Sequence, residues 1–414
     1  MDCGRVTDKI QRVRFMKKTY KIAAILTVAA MLMTSLAGCA TFDAFRAEFF
    51  PGEQNAKETV KIGVFEPLSG EDKSGGELEK KGIELAHKLQ PTCLGKDVEL
   101  VYADNRSDLN AAAEAIRELI AKKPAVILGS YGSAYSLAAA EYIQKAKIPA
   151  ISITNANPLV TKGNPYYFRV WFEDEYQGAV LGKYAAEVLG VTEAAVMRKQ
   201  NDDAAIPVNQ SFENKMIQLT GNANAVPYII EYKDDFSDVR QKLEQLKKAG
   251  IKTIFLSAEQ AGAVKILKTA EKMNAGFTFL GIDTWQTDSF PVEAGTAAEQ
   301  AVVSTIYDSE AGVNKMSERF LKAYREEYGK DVVPEPAVAL AFDAYMIAID
   351  AMEQAGTSRN GEKIMQTLAL TSKFAGASGN ITFDANGDAM KTVIIKGVED
   401  GAFVSVYTIE PNVV

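Results

Sequence analysis

At 414 residues and 47% hydrophobic, the chain is too long for one core and is sized for two α/β lobes. Its net charge of −8, with no basic stripe outside the N-terminus, argues against a nucleic-acid-binding surface and reads as ordinary solubility.

The first element is Met16-Lys17-Lys18-Thr19-Tyr20-Lys21, a positive segment followed by an apolar run from Ile22 to Leu36. That run falls short of the roughly 20 residues of a membrane span. It ends in Leu36-Ala37-Gly38-Cys39, which resembles a bacterial lipobox, where small residues fit the peptidase cleft and the cysteine is diacylated. The expectation is a signal peptide over 1–38, with Cys39 as the lipidated N-terminus and 39–58 as a tether carrying Phe42, Phe45, Phe49 and Phe50. Two acyl chains suffice for stable attachment. A transmembrane anchor, or cleavage elsewhere, is the alternative. Residues 1–15 read as an upstream extension, since Met16 alone starts a signal of ordinary shape. With Cys39 lipidated, Cys93 has no disulfide partner and is given no role.

From Val60 onward, β-rich runs alternate with amphipathic stretches. The periodicity predicts strand Val60–Phe65, helix Glu77–Leu89, strand Val98–Tyr102, helix Asn110–Lys122, strand Ala125–Leu128, helix Ala134–Lys145 and strand Ala150–Ile153. The rhythm restarts after Asp174 with helix Tyr176–Leu189, strand Ala194–Arg198, helix Gln210–Leu219 and strand Val226–Glu231. Helix Ser237–Lys248, strand Thr253–Leu256, helix Ala263–Met273 and strand Phe277–Leu280 follow. Helices over Asn314–Tyr328, Ala337–Glu353 and Asn360–Leu368, then a hairpin-like end, complete the chain. Repeated βαβ units imply parallel sheets covered on both faces, with a cleft at the carboxyl ends of the strands. The chain is expected to cross between lobes near Asp174, Asp308 and Lys396. This gives a lobe of 59–174 with 309–395 and a lobe of 175–308 with 396–414.

Five stretches, in order and at matching spacing, resemble the branched-chain amino-acid-binding family of type 1 periplasmic binding proteins. They are Ile62-Gly63 to Pro67-Leu68-Ser69-Gly70 with Gly76 and Gly82; Tyr102-Ala103-Asp104-Asn105 with Asp108; Ile127 to Ser133 with Ile148 to Ser152 and Pro158; Tyr167-Phe168-Arg169 with Asp174 and Gln177-Gly178; and Phe374-Ala375-Gly376 with Gly379, Phe383-Asp384 and Asn386-Gly387-Asp388. The resemblance implies two doubly wound lobes joined by a three-stranded hinge. It further implies a substrate-binding lipoprotein of an ABC importer, anchored on the extracytoplasmic face of the membrane. Such a protein closes on an amino acid or related small polar solute, without a cofactor or metal. The expected partners are the ligand, an ABC permease and the membrane, with no nucleic acid; the receptor itself is expected to be a monomer.

Ser133 ends a Gly/Ser loop at a helix start, where free N–H groups and the helix dipole favour a carboxylate; a plain N-cap is the other reading. Thr154 and Asn155 follow the next strand and face the same crevice. By the resemblance, this loop holds the ligand's carboxylate and ammonium, although Ala156 stands where the family carries a threonine. Asp283 lines up with the family's ammonium-pairing acid; an Asx turn or helix cap is the alternative. Tyr131, Trp171, Phe172, Glu259 and Trp285 are wall candidates, with core packing equally open for the aromatics. Glu259 hints at a second charge for a cationic ligand. The family's bulky aromatic before Gly76 is Gly75 here, and Asn201 to Ala205 replaces its usual Tyr-Gly. Both departures point to a pocket roomier or more polar than one for leucine.

Two other function classes remain. An enzyme finds little support: His87 is the lone histidine, and no HExxH, P-loop or G-x-S-x-G is present. A receptor of the same fold that reports occupancy to a membrane partner is the stronger rival; with no membrane segment expected after Val414, the free-standing importer reading is preferred.

Overall fold

The protein is described by a computed structural model over residues 58–410, apart from Glu173, Ala204, Asp288 and 310–312. The expected signal peptide, Cys39 and the tether through Lys57 lie outside the described residues. No helix among them is long and apolar enough to cross a membrane.

The first sheet has six strands: β1 (Val60–Glu66), β2 (Thr92–Cys93), β3 (Lys96–Asp104), β4 (Val126–Gly129), β5 (Ala150–Ser152) and β6 (Tyr167–Arg169), in the order β2-β3-β1-β4-β5-β6. All pairings are parallel except β2 with β3. Helices α1 (Lys73–Leu89), α2 (Leu109–Ala121) and α3 (Ser133–Ala146) make the crossovers. All of β1 but Lys61 is buried, as expected of a central parallel strand covered on both faces. Cys93 is buried in β2.

The second sheet is entered through α4 (Asp174–Lys183), which continues as a π-helical turn over Tyr184–Val188. It contains β7 (Ala195–Lys199), α5 (Ala205–Thr220), β8 (Tyr228–Tyr232), α6 (Val239–Lys248), β9 (Thr253–Ser257), α7 (Gln260–Lys272), β10 (Thr278–Gly281), α8 (Ser289–Ala294) and β11 (Ala301–Thr305). The chain then returns to the first core with α9 (Lys315–Tyr328), α10 (Pro336–Ala355) and α11 (Gly361–Leu368). A small antiparallel sheet of β12 (Phe374–Gly376), β13 (Gly379–Phe383) and β14 (Ala389–Lys391) follows. The final hairpin, β15 (Val393–Glu399) and β16 (Ala402–Ile409), joins the second sheet antiparallel to β11. That sheet runs β16-β15-β11-β10-β9-β7-β8. The architecture is the two-lobed α/β arrangement expected from the alternation.

Several boundaries differ from the periodic reading, each for a physical reason. Helix α5 begins at Ala205 rather than Gln210, because Pro207 falls in its first turn, where no intrahelical N–H is needed. Strand β11 carries no alternation, its three apolar residues being followed by Ser304 and Thr305, and it is too short to assign by periodicity. Lys396 sits inside β15, opposite Val303, so the last crossing falls ahead of it, between Lys391 and Val393.

Helix α10 is buried almost all round, and Asp343 lies at its middle. The carboxylate accepts the Ala377 and Ser378 N–H groups, the latter at 2.9 Å, and Lys391 Nζ donates to Ser378 Oγ at 2.5 Å. Burial raises the Asp343 carboxyl against the pull of Lys391, and lowers the Lys391 ammonium to about 8 against the pull of Asp343. This polar clamp fixes the β12–β13 turn to the core helix.

Candidate ligand-binding site

Four loops leave the carboxyl ends of β1, β3, β4 and β5 and interlock. Asp104 Oδ1 accepts the Leu68, Ser69 and Arg106 N–H groups at 2.9, 3.2 and 2.8 Å, and Oδ2 accepts the Ser69 hydroxyl at 2.7 Å. Partial burial works against ionisation, but these donors together hold the carboxyl below its ordinary range. Asn105 Nδ2 donates to Ser130 Oγ at 2.7 Å, which ties the β3 loop to the β4 loop. Asn155 Nδ2 donates to Ser130 O at 2.9 Å, adding the β5 loop.

Ser133 is the first residue of α3, as its loop-to-helix position predicts. The cap position belongs to Gly132 at φ +87, so Ser133 is not the N-cap. Its hydroxyl accepts the Asn157 N–H at 3.4 Å and therefore faces the β5 loop. The Tyr135 and Ser136 N–H groups bond back to Gly132 O, and a helix start of this kind is a setting that favours an anion in general. Ala156, in the β5 loop, is exposed. Thr154 turns its hydroxyl inward, donating to Glu79 Oε1 at 2.5 Å. Asn155 is only 1% exposed, and its backbone carbonyl accepts Arg169 Nη1 at 3.2 Å. Its side chain thus braces the loop from within. Arg169 in turn pairs with Asp388 at 2.6 Å, both buried.

Beneath these loops lie two carboxyls to which the sequence reading gave no role. Glu66, at the end of β1, accepts the Tyr131 N–H at 2.7 Å. Glu79, on α1, takes the Thr154 hydroxyl, and both acids are fully buried. They lie within hydrogen-bonding reach of each other; burial first, and then the Glu79 charge, push Glu66 well up, while burial pushes Glu79 up to about 7. A readable signal existed: Glu79, Gly82, Ile83 and Ala86 share the buried stripe of α1, so a carboxylate interrupts an apolar face at helical spacing.

Tyr131 is half-buried, with its ring directly over Gly75. A Cβ at Gly75 would lie 2.3–2.5 Å from three ring atoms. The tyrosine therefore fills space that a side chain at residue 75 would need, so an aromatic wall rises from the β4 loop rather than from α1.

In the second lobe, Asp283 follows β10 and opens a short 3-10 turn. Gln177 on α4 holds it twice: Nε2 donates to Asp283 Oδ1 and Oε1 accepts the Asp283 N–H, both at 3.1 Å. Ser304 on β11 donates to the same Gln177 Oε1 at 2.8 Å. Glu259 is exposed at the N-cap of α7, after β9. Trp285 is core: it is fully buried, its Nε1 donates to Ala258 O at 2.6 Å, and its ring stacks on Phe290. Phe172 is likewise buried, with half-buried Trp171 stacked on it at 5.7 Å between centroids. Tyr131, Ser133, Thr154, Asn155 and Ala156 thus gather on adjacent strand ends of one lobe. Glu259 and Asp283 stand on adjacent strand ends of the other, and Trp171 lies where the chain first passes between them.

Comparison with known proteins agrees with this geometry. The family model described as periplasmic binding protein matches residues 59–402. A Leu/Ile/Val-binding protein homolog 2 from Brucella abortus is 21% identical over 333 residues, covering 80% of this chain and 87% of the relative. A leucine-binding protein from Thermotoga maritima is 31% identical, with a TM-score of 0.63 over 86% of this chain and 99% of that one. A putative branched-chain amino acid ABC transporter protein from Rhodospirillum rubrum, 23% identical, shares the fold with a TM-score of 0.77 over 84% of this chain and 100% of that one. The relatives compared are transport and binding proteins rather than enzymes. With parallel strands of both lobes ending in polar loops, and with this match over nearly all the described residues, the chain belongs to the periplasmic binding protein family.

Proposed function

We propose that the protein is the lipid-anchored substrate-binding component of an ABC importer, taking up an amino acid or related small polar solute by hinge closure. The single observation that carries the reading is the pairing of opposite binding characters on the two lobes. The α3 start at Ser133 is built for an anion, and the carboxylate of Asp283 is oriented by Gln177 at the rim of the other sheet. A zwitterion bound first at Ser133 and the Thr154–Ala156 backbone would draw Asp283 across, and closure would exclude water from those contacts. Because a ligand shifts the open–closed balance only through differential affinity, it must touch both lobes. Tyr131, Trp171 and Glu259 would line the remaining wall. The closed form is the one a permease would select, and diacylated Cys39 would keep the receptor at the extracytoplasmic membrane face.

Native mass spectrometry of unstripped protein, followed by calorimetry of stripped protein against amino acids and short amides, tests the reading. A retained small polar solute supports it. No retained mass, together with no heat from any member of the panel, rejects it. Metabolic labelling with a fatty acid tests the anchor: label should enter the wild type and be absent from Cys39→Ala.

A further inference from the structure

Two neutral polar side chains at the second lobe's strand ends remain unaccounted for. Asn209, on α5, is 4% exposed, and neither its Nδ2 nor its Oδ1 has a hydrogen-bond partner among the described residues. Ser257, the last residue of β9, is 3% exposed, and its hydroxyl is equally unpartnered. Buried polar atoms are almost always paired, so several orphan sites within one layer point to a partner that comes from outside the chain.

The packing brings the two residues to the same place. Phe212 of α5 stacks on Phe255 of β9 with centroids 4.7 Å apart. Helix α5 is the crossover between parallel strands β7 and β8, so it runs antiparallel to β9. One turn toward the α5 N-terminus from Phe212 is Asn209. Two residues toward the carboxyl end of β9 from Phe255, on the same face, is Ser257. Both steps lead to the rim. Gly178 lets α4 lie close there, since a Cβ on it would be 2.1 Å from Val208 O. Gln177 and Asn209 are the sequence neighbours of that contact on the two helices. Gln177 is bonded to Asp283 and Ser304, whereas Asn209 and Ser257 are unsatisfied. Thr284, next to Asp283, is a third residue with an unpartnered polar group, its hydroxyl.

We propose that Asn209 and Ser257 form a polar subsite of the second lobe that hydrogen-bonds an uncharged amide or hydroxyl on the ligand's distal end. The inference rests on the binding reading above and narrows it to ligands with neutral polar ends. Asn209 offers two donors and an acceptor, and Ser257 one donor and an acceptor capacity, so the subsite fits a group that both gives and takes hydrogen bonds. Neither side chain carries charge, so selection would rest on hydrogen bonding. An apolar end of the same shape would leave these groups unpaired, which is how a hydrogen-bonding site rejects an isostere.

The test is calorimetry of the full chain with two shape-matched pairs, L-asparagine against L-leucine and L-threonine against L-valine. The wild type should favour the polar member of at least one pair by about tenfold or more. Ser257→Ala and Asn209→Ser, which remove little or no core volume, should each cut that preference several-fold. Asn209→Leu with Ser257→Ala should bring it to within about threefold of parity. Equal or tighter binding of the apolar members by the wild type overturns the subsite, as does a preference unchanged in both single variants. Wild-type protein that binds none of the four also overturns the subsite as drawn, a result distinct from binding with apolar preference because the full panel above then decides the amino-acid reading.

Discussion

The Thr154 hydroxyl, in the loop after β5, donates to Glu79 Oε1 at 2.5 Å, so that loop rests on a buried acid of α1. Glu66 plays the same part for the loop after β4 through the Tyr131 N–H. Two adjacent loops thus rest on one pair of buried carboxyls, which burial makes readier to hold protons.

Stability should follow those protons. Burial raises Glu79 from 4.5 to about 7, so the folded chain binds a proton that the unfolded chain gives up more readily. The associated stability is fully present below about pH 4.5 and is lost as pH rises through about 7. Glu79→Gln, which stays neutral, should gain stability relative to the wild type between pH 5 and pH 8 in urea melts. Parallel profiles for the two proteins would count against the shared-proton account.

Gly75→Ala separates helix propensity from the seat of the Tyr131 ring. Alanine inside a helix is worth about 1 kcal/mol over glycine, yet here its methyl meets the ring. The substitution should therefore not raise the melting temperature in the wild type. In a Tyr131→Ala background the same change should stabilise by about 1 kcal/mol. Equal effects in both backgrounds would show that the ring does not occupy that space.

Asp283→Ala should weaken an ammonium-bearing ligand by about 2 kcal/mol, roughly 30-fold in Kd, through loss of a charge-assisted contact. Asp283→Asn keeps the side-chain shape while removing the charge, and should lose most of the same affinity. Calorimetry reads both. Unchanged affinity in both variants would take Asp283 out of the site.

Asp388→Ala removes the carboxylate that neutralises Arg169, whose guanidinium is fully buried against it. Removing one partner of a buried pair costs about 3–5 kcal/mol. Chemical denaturation should show a loss of that size, and a change below about 1 kcal/mol would place the pair among the inconsequential ones.

Alternation made most of the fold readable. Strand β1 and helix α2 fall within a residue or two of their expected limits because each carries one unambiguous period. The apolar face of β11 did not, since Ala301–Thr305 has no period of its own and gains its place only by pairing with β10 and β15. At the strand ends, the placing of Ser133 at a helix start was legible because loop composition and helix start coincide. Trp285 was not: its place after a strand suited a pocket wall as well as a core, and its full burial, with Nε1 bonded to Ala258 O, shows which holds. Glu79 was written plainly on the buried stripe of α1, but its meaning depends on Thr154, 75 residues away. Long-range partners of this kind have no signature in local spacing.

The chain has two tryptophans, and they stand in unlike surroundings. Trp285 is sealed under the second sheet, whereas Trp171 is half-buried beside the first passage between sheets. Intrinsic emission should therefore divide into a sealed component and a more accessible one. Phe in place of Trp285 would isolate the latter and leave a single indole whose surroundings can be followed without an attached dye.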